Sequence, residues 1–266
     1  MTPLRVYDTD DVPDSFDARE EWPSYIHPIM DQGNCGASWA FSTASVAADR
    51  LTIHSMGIYD KQLSAQQILD CDIDYHQKGC RGGHVDRAWW YLRTTGVVTE
   101  SCYPYKSGFT GLKNKCKLPR SIMRPSATSC PGTAGVKSPV YQVTPPYRIA
   151  PHEKEIMKEI LQNGPVQEMV SIVIHYQLAT NLLIYLSLDN RLCANSWGRD
   201  WGEDGYFRIL RGTNESEIES FIVGIWAKVN GRELRRHNPK AFLKRRERHQ
   251  HDRLRLRRKR HSRRRR

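Results

Sequence analysis

One face of a helix is written most clearly at the residues that follow Ser38. Trp39, Ala40, Phe41, Ala44, Ala47, Ala48 and Leu51 recur at helical spacing, so a buried helix is predicted to begin near Ser38. Gly33 and Gly36 just ahead of it allow a tight, exposed backbone path. Farther on, Ser64 and Gln67 are placed as a capping box before a short helix that runs to Cys71. Residues 84–95 read as a third helix, closed by Gly96. Residues 153–162 set Ile156, Met157, Ile160 and Leu161 on one face, and Asn163-Gly164-Pro165 stops that helix.

Elsewhere the helical period is absent. Ile172, Val173, Ile174 and Leu178 read as an apolar strand continuing from Val166, residues 185–188 as a short strand, and residues 218–229 as a final apolar strand. The stretch 103–130, rich in Lys, Ser, Pro and Gly, is expected to be an exposed and variable loop.

Composition sharpens this picture in three ways. A chain of 266 residues with 39% hydrophobic content can bury one large core or two small ones. The formal charge of +12 is carried by residues 232–266, where 18 Lys or Arg from Arg232 to Arg266 face only Glu233, Glu247 and Asp252, so the first 231 residues are mildly acidic. Seven scattered cysteines read as disulfides, not a zinc site, which implies an oxidising compartment. Residues 1–11 lack the apolar core of a signal peptide, so an incomplete amino terminus or an alternative transcript is expected. No run of 18 apolar residues could span a membrane.

The candidate chemistry lies at the start of the first helix. Free N–H groups and the positive end of the helix dipole favour an anion there, a thiolate or an oxyanion, and Ser38 sits where the reacting atom would sit. Cys35-Gly36-Ala37-Ser38-Trp39 resembles the nucleophile signature of the papain family of cysteine peptidases at every position except the nucleophile. The likeness is strongest with the cathepsin B-like branch and, within it, the tubulointerstitial nephritis antigen group of secreted matrix proteins, which also carries serine there. It extends over Val12-Pro13-Asp14-Ser15-Phe16-Asp17-Ala18-Arg19, Gly79-Cys80-Arg81-Gly82-Gly83, Ala194-Asn195-Ser196-Trp197-Gly198 and Gly205-Tyr206-Phe207-Arg208-Ile209-Leu210.

That resemblance implies a two-lobed α+β fold over residues 12–231, helical lobe first and a β-barrel-like lobe second, between an extension (1–11) and a basic, disordered tail (232–266). It implies that Gln32, six residues before Ser38, supplies an oxyanion donor, and that Asn195 orients a histidine beneath the shield of Trp197. Gly82 and Gly83 would bring backbone close to an extended peptide, against the plainer alternative of a turn needed only for folding. Cys35 is expected to pair with Cys80 and Cys71 with one of Cys102, Cys116 or Cys130, leaving Cys193 over.

The sequence departs from the family in three places. Ser38 replaces the thiol. A cysteine of pKa about 8.5 can be drawn into an ion pair with imidazolium, whereas a serine hydroxyl needs a poised base. Only 27 residues separate Gln167 from Asn195, so the β lobe is expected to be incomplete between 169 and 194, by splicing, by a faulty gene model or by selection. His175, 20 residues before Asn195, has the spacing of a catalytic base but the surroundings of a strand residue. Residues 103–130 contain no histidine, so the carboxyl-terminal grip of cathepsin B is not expected either.

The leading expectation is a catalytically silent papain-like domain that binds extracellular matrix proteins or peptides. The alternatives are a cysteine-type peptidase with residual activity and a polyanion-binding module in which the tail takes heparan sulfate. The tail lacks the aromatic interleaving that would favour nucleic acid. Asn214-Glu215-Ser216 is a glycosylation sequon, and no cofactor or metal is implied.

Overall fold

The computed structural model describes residues 4–7, 12–119, 127–170, 180–186, 190–229 and Arg235. In chain order the elements are β1 (Leu4–Arg5), α1 (Ala18–Glu21), α2 (Ser38–Ser55), α3 (Ala65–Cys71), α4 (Val85–Thr94) and α5 (Ser107–Thr110). There follow β2 (Ala127–Ser129), β3 (Lys137–Pro139), β4 (Tyr147–Ile149), α6 (Glu153–Asn163), β5 (Gln167–Val170), β6 (Thr180–Leu186), β7 (Asn190–Ala194), β8 (Tyr206–Leu210) and β9 (Ile222–Gly224). Helices dominate the first half and strands the second, an α+β arrangement.

Helix α2 carries apolar side chains on more than one face and is buried nearly all round. Trp39, Phe41, Ala44 and Ala48 join α3 and α4 in one apolar cluster, and α2 also packs against β5, β6 and α6. Two of its polar residues are satisfied within the helix: the Thr43 and Thr52 hydroxyls donate to the carbonyls of Trp39 and Ala48 one turn back. The fully buried Arg50 ties the lobes. It pairs with Glu159 of α6 at 2.8 Å and donates to the carbonyls of Gly164, Pro165 and Ile225.

Only half of the capping box expected at α3 forms. Ser64 Oγ accepts from the Gln67 N–H at 3.0 Å, but the Gln67 side chain does not return to Ser64. Gln67 is buried where α3 meets α4, so its amide donates to Tyr91 Oη and the Gly96 carbonyl and accepts from the Val98 N–H. The Ser64 N–H donates instead to the Val98 carbonyl. Helix α4 lies where the pattern placed it, over Val85–Thr94.

Among the described residues the main sheet has seven strands in the order β1-β4-β9-β5-β6-β7-β8. The pairing is antiparallel except for β1 beside β4. The sheet is continuous across the shortened stretch, because β6 pairs with β5 through Leu183 and Gln167 and with β7 through Leu183 and Ala194. The substitute strand expected at 185–188 thus begins earlier, at Thr180. The apolar run 172–178, His175 with it, lies outside the described residues. The final strand is shorter than expected: β9 spans only Ile222–Gly224. Residues 218–220 are still held in turns, where the Ile218 and Ser220 N–H groups donate to the Glu215 and Glu217 carbonyls, and beyond Gly224 the described residues form one isolated bridge, Ala227 to Val143.

A second apolar cluster joins α6 to this sheet through Ile156, Ile160, Ile209 and Ile222. A third lies under the loop that follows α4, where Val98, Tyr103 and Leu118 pack around Cys102 and Cys130. Three disulfides hold the helical half: Cys35–Cys80, Cys71–Cys116 and Cys102–Cys130. Cys193 is a free, buried thiol whose pKa burial raises well above the ordinary value. No helix among the described residues is long and apolar enough to cross a membrane.

Candidate functional site

Two distant segments meet at the amino end of α2. Gln32 donates its backbone N–H to the Ser196 carbonyl at 2.8 Å, and Asp31 bridges Trp197 across the same seam. The Ser196 hydroxyl donates to Gln32 Oε1 at 2.6 Å. With that oxygen taken, the Gln32 amide nitrogen makes no hydrogen bond among the described residues and is oriented as a donor. The Gln32 carbonyl accepts from Tyr105 Oη at 2.7 Å, which fixes the segment from its other side. Trp197 packs edge-on against Trp201, their ring centroids 4.9 Å apart.

Ser38 opens α2 six residues after Gln32 and is only 4% exposed. The backbone ahead of it is held tightly: the Gly36 N–H donates to the Cys80 carbonyl, and a Cβ on Gly36 would lie 2.6 Å from that oxygen. The Cys35–Cys80 bridge fastens the same two segments covalently. The Trp39 indole donates to the Gly79 carbonyl at 3.2 Å, so the glycine turn rests on the first turn of the helix.

Gly82 and Gly83 differ in what they do. At Gly82, φ is +109° and nothing lies within 4 Å of a Cβ position, so its face is open. A Cβ on Gly83 would meet the Trp39 ring at 2.5 Å, so here the absence of a side chain serves packing. Yet the Gly83 N–H and carbonyl enter no backbone hydrogen bond among the described residues, whereas both backbone groups of Gly82 are used within the turn. The group left to pair with an extended chain is therefore that of Gly83.

Asn195 is 6% exposed, and its Oδ1 accepts from the Ser196 N–H at 2.8 Å. No imidazole is hydrogen-bonded to it among the described residues. His27 lines a small cavity together with Ser42, Ser45 and Asn195, but its ring nitrogens face Asp49 at 2.7 Å and Asp60 at 3.4 Å. It is a half-buried structural histidine on the Asp49 carboxylate, which burial shifts upward. Among the described residues no group of three His, Cys, Asp or Glu could hold a metal ion.

Asn214 is exposed, with its side chain built into a turn: Nδ2 donates to Ser220 Oγ and Oδ1 accepts from the Glu219 N–H. One amide hydrogen is left outside that pair. Nothing local in the sequence marks Ser196 or Tyr105 as partners of Gln32. Contacts that span 164 and 73 residues carry no local signature.

The family model for papain family cysteine proteases matches residues 12–185 and 186–225. The chain belongs to the papain family. It is 41% identical to tubulointerstitial nephritis antigen-like of Rattus norvegicus over 268 aligned residues, covering 85% of this chain and 57% of that protein. It thus spans little more than half the length of that relative. Cathepsin B-like CP3 of Giardia intestinalis is 33% identical over 233 residues, covering 80% of this chain and 74% of the relative. Among solved structures, proCathepsin B S9 from Trypanosoma congolense superposes with a TM-score of 0.71 at 28% identity, covering 86% of this chain and 83% of that one. Within this papain-family frame the position after Cys35-Gly36-Ala37 is a hydroxyl, and the histidine of suitable spacing, His175, is outside the described residues.

Proposed function

We propose that this papain-family chain is a catalytically silent domain that binds other molecules in the extracellular matrix or at cell surfaces. The observation that carries the reading is Ser38 at the nucleophile position, beside a Gln32 donor still pinned by Ser196 and a Gly83 backbone still unpaired. Oxyanion donors without an activated nucleophile can hold a peptide carbonyl and do nothing to it. Replacing the nucleophile of a comparable triad removes roughly a million-fold of rate. The likeness to the antigen-like protein of Rattus norvegicus supports this reading, and three disulfides fit the oxidising compartment that a secreted location requires.

The test is hydrolysis of peptidyl fluorogenic substrates by the wild-type chain and by Ser38→Cys, each with and without an epoxide inhibitor of cysteine peptidases. The reading expects no turnover by the wild type and none restored by Ser38→Cys. Wild-type turnover that the epoxide blocks would overturn it.

A second reading, a cysteine-type peptidase by descent with residual serine-based hydrolysis, draws on the family match and the likeness to cathepsin B-like CP3. It expects Ser38→Cys to raise activity sharply. A third role, polyanion binding by residues 232–266, rests on their 18 Lys or Arg and expects heparin-column retention to disappear when that tail is deleted.

A further inference from the structure

The loop after α4 carries a surface that the papain-family site does not use. From Lys113 to Leu118 the side chains alternate: Lys113, Lys115 and Lys117 are exposed, whereas Asn114, Cys116 and Leu118 turn inward. The inward set is anchored. The Asn114 side chain donates to Ser107 Oγ, Cys116 is bridged to Cys71, and Leu118 lies in the cluster around Tyr103. In an extended chain such alternation spaces the three ammonium-bearing positions about 7 Å apart along one face.

A fourth exposed lysine, Lys106, stands with Lys117 at the mouth of a cavity of about 80 Å³ walled by Tyr103, Pro104 and Pro131. Among the described residues none of these four lysines has a carboxylate within ion-pair distance. The residues before the tail are mildly acidic overall, so this stretch runs against the charge of its own domain. Phe109, 94% exposed, and Leu112, 68% exposed, lie beside it. Lys113 reaches back to donate to the Asp72 carbonyl at 3.5 Å, so Lys106, Lys115 and Lys117 carry most of the outward charge. Isolated apolar side chains at a surface need no explanation, but an aromatic ring held almost wholly in water beside lysines that have no carboxylate partner has the composition of a contact surface.

The turn that carries Phe109 is rigid because Gly108 and Gly111 pack directly on the segment that holds Gln32. The Asn34 N–H donates to the Gly108 carbonyl at 2.9 Å, and Cβ atoms on Gly108 and Gly111 would meet the carbonyls of Gln32 and Asn34 at 3.0 and 2.9 Å. The backbone of this turn needs little further ordering, so the cost of binding falls on the lysine side chains.

We propose that residues 106–117 form a docking ledge for an extended acidic protein segment. Glutamate or aspartate at alternate positions would oppose Lys113, Lys115 and Lys117, and a neighbouring apolar side chain would cover Phe109 and Leu112. The charge sign and the period of two select this occupant, because an extended peptide repeats its side chains at the same spacing as the ledge. The ledge abuts the Gln32 segment through Gly108 and Gly111, but it uses none of Ser38, Asn195 and Gly83 and so does not depend on whether the cleft is silent.

The full chain is tested by fluorescence anisotropy against two labelled peptides of one composition. One follows an aromatic residue with three glutamates alternating with serine, and the other groups the glutamates in a block. At roughly 150 mM salt, where loose charge attraction is largely screened, the alternating peptide binds about fivefold tighter than the block isomer. Lys115→Glu with Lys117→Glu weakens the alternating peptide about tenfold, and Phe109→Ala about threefold, with far-ultraviolet circular dichroism unchanged. Carbodiimide coupling followed by mass mapping attaches the peptide to Lys113, Lys115 or Lys117. Equal affinity for the two isomers overturns the proposal, as does coupling confined to Lys240, Lys244 and Lys259 of the tail. A heparin oligosaccharide that protects Lys115 and Lys117 better than the alternating peptide does, at equal charge concentration, overturns it in favour of a sulfated polysaccharide.

Discussion

The Ser196 hydroxyl donates to the Gln32 side-chain oxygen at 2.6 Å, and the Gln32 N–H donates back to the Ser196 carbonyl at 2.8 Å. This reciprocal pair joins the segment before α2 to the turn after β7, and it decides which end of the Gln32 amide is free. A donor at this position depends on a partner that lies in the other half of the chain.

Ser196→Ala leaves Gln32 Oε1 buried without its partner and costs about 1–3 kcal/mol, while Ser196→Thr retains a hydroxyl and recovers most of that loss. Urea unfolding midpoints measure both variants. An unchanged midpoint for Ser196→Ala would show that the hydroxyl does not hold the amide.

Gly83→Ala drives a methyl group into the Trp39 ring, which is 1% exposed and has no room to move. Its near-ultraviolet circular dichroism is expected to change and its stability to fall by about 1–3 kcal/mol. Gly82→Ala meets no atom within 4 Å but must hold φ at +109°, so it loses stability through the backbone and leaves the tryptophan signal intact. Identical spectra for the two variants would contradict the packing role of Gly83.

Arg50→Met strips the buried Glu159 carboxylate of its partner, which costs about 3–5 kcal/mol. Burial pulls the Glu159 carboxyl upward, but Arg50, Arg5 and the Tyr147 and Tyr7 hydroxyls outweigh it and hold it below the usual range. The paired variant Arg50→Met with Glu159→Met recovers only part of the loss, because the carbonyls of Gly164, Pro165 and Ile225 stay unpaired. Denaturant unfolding of the two variants beside the wild type checks this order.

Glu100 gives the chain a pH dependence near neutrality. Burial pushes its carboxyl from 4.5 up to about 7, against the pull of the Tyr105 N–H that it accepts. The folded state therefore keeps the proton that the unfolded state has released. The stability from this group is fully present below about pH 4.5 and is lost as pH rises through about 7, by on the order of 3 kcal/mol at most. In Glu100→Gln that decline disappears, so the difference in unfolding free energy between variant and wild type grows from pH 5 to pH 7. A difference independent of pH would sink the assignment.

The main helices were legible in the sequence, in the first half and beside the sheet alike, since α2, α4 and α6 each bury apolar residues at a helical period that tertiary contacts only reinforce. The β half was less so. Thr180–Leu186 pairs as a strand because β5 and β7 lie on either side, and a seven-residue run has no period strong enough to announce its own ends. The final strand is shorter than its apolar run, because apolar content does not reveal that residues 218–220 are held in turns by the carbonyls of Glu215 and Glu217.

By itself the sequence determined the family, through short motifs whose residues are neighbours in the chain, and it determined that a hydroxyl stands at Ser38. It also marked Cys193 as the thiol most apt to be left over. Only the tertiary structure decided that Cys71 pairs with Cys116, that Ser196 and Tyr105 hold Gln32, and that among the described residues Gly83 and not Gly82 keeps its backbone unpaired. The physical reason is one of range. Periodicity and motif spacing report what a residue does with neighbours a few positions away. Hydrogen bonds, bridges and close backbone approaches between segments far apart in the chain exist only once the two lobes have packed around α2.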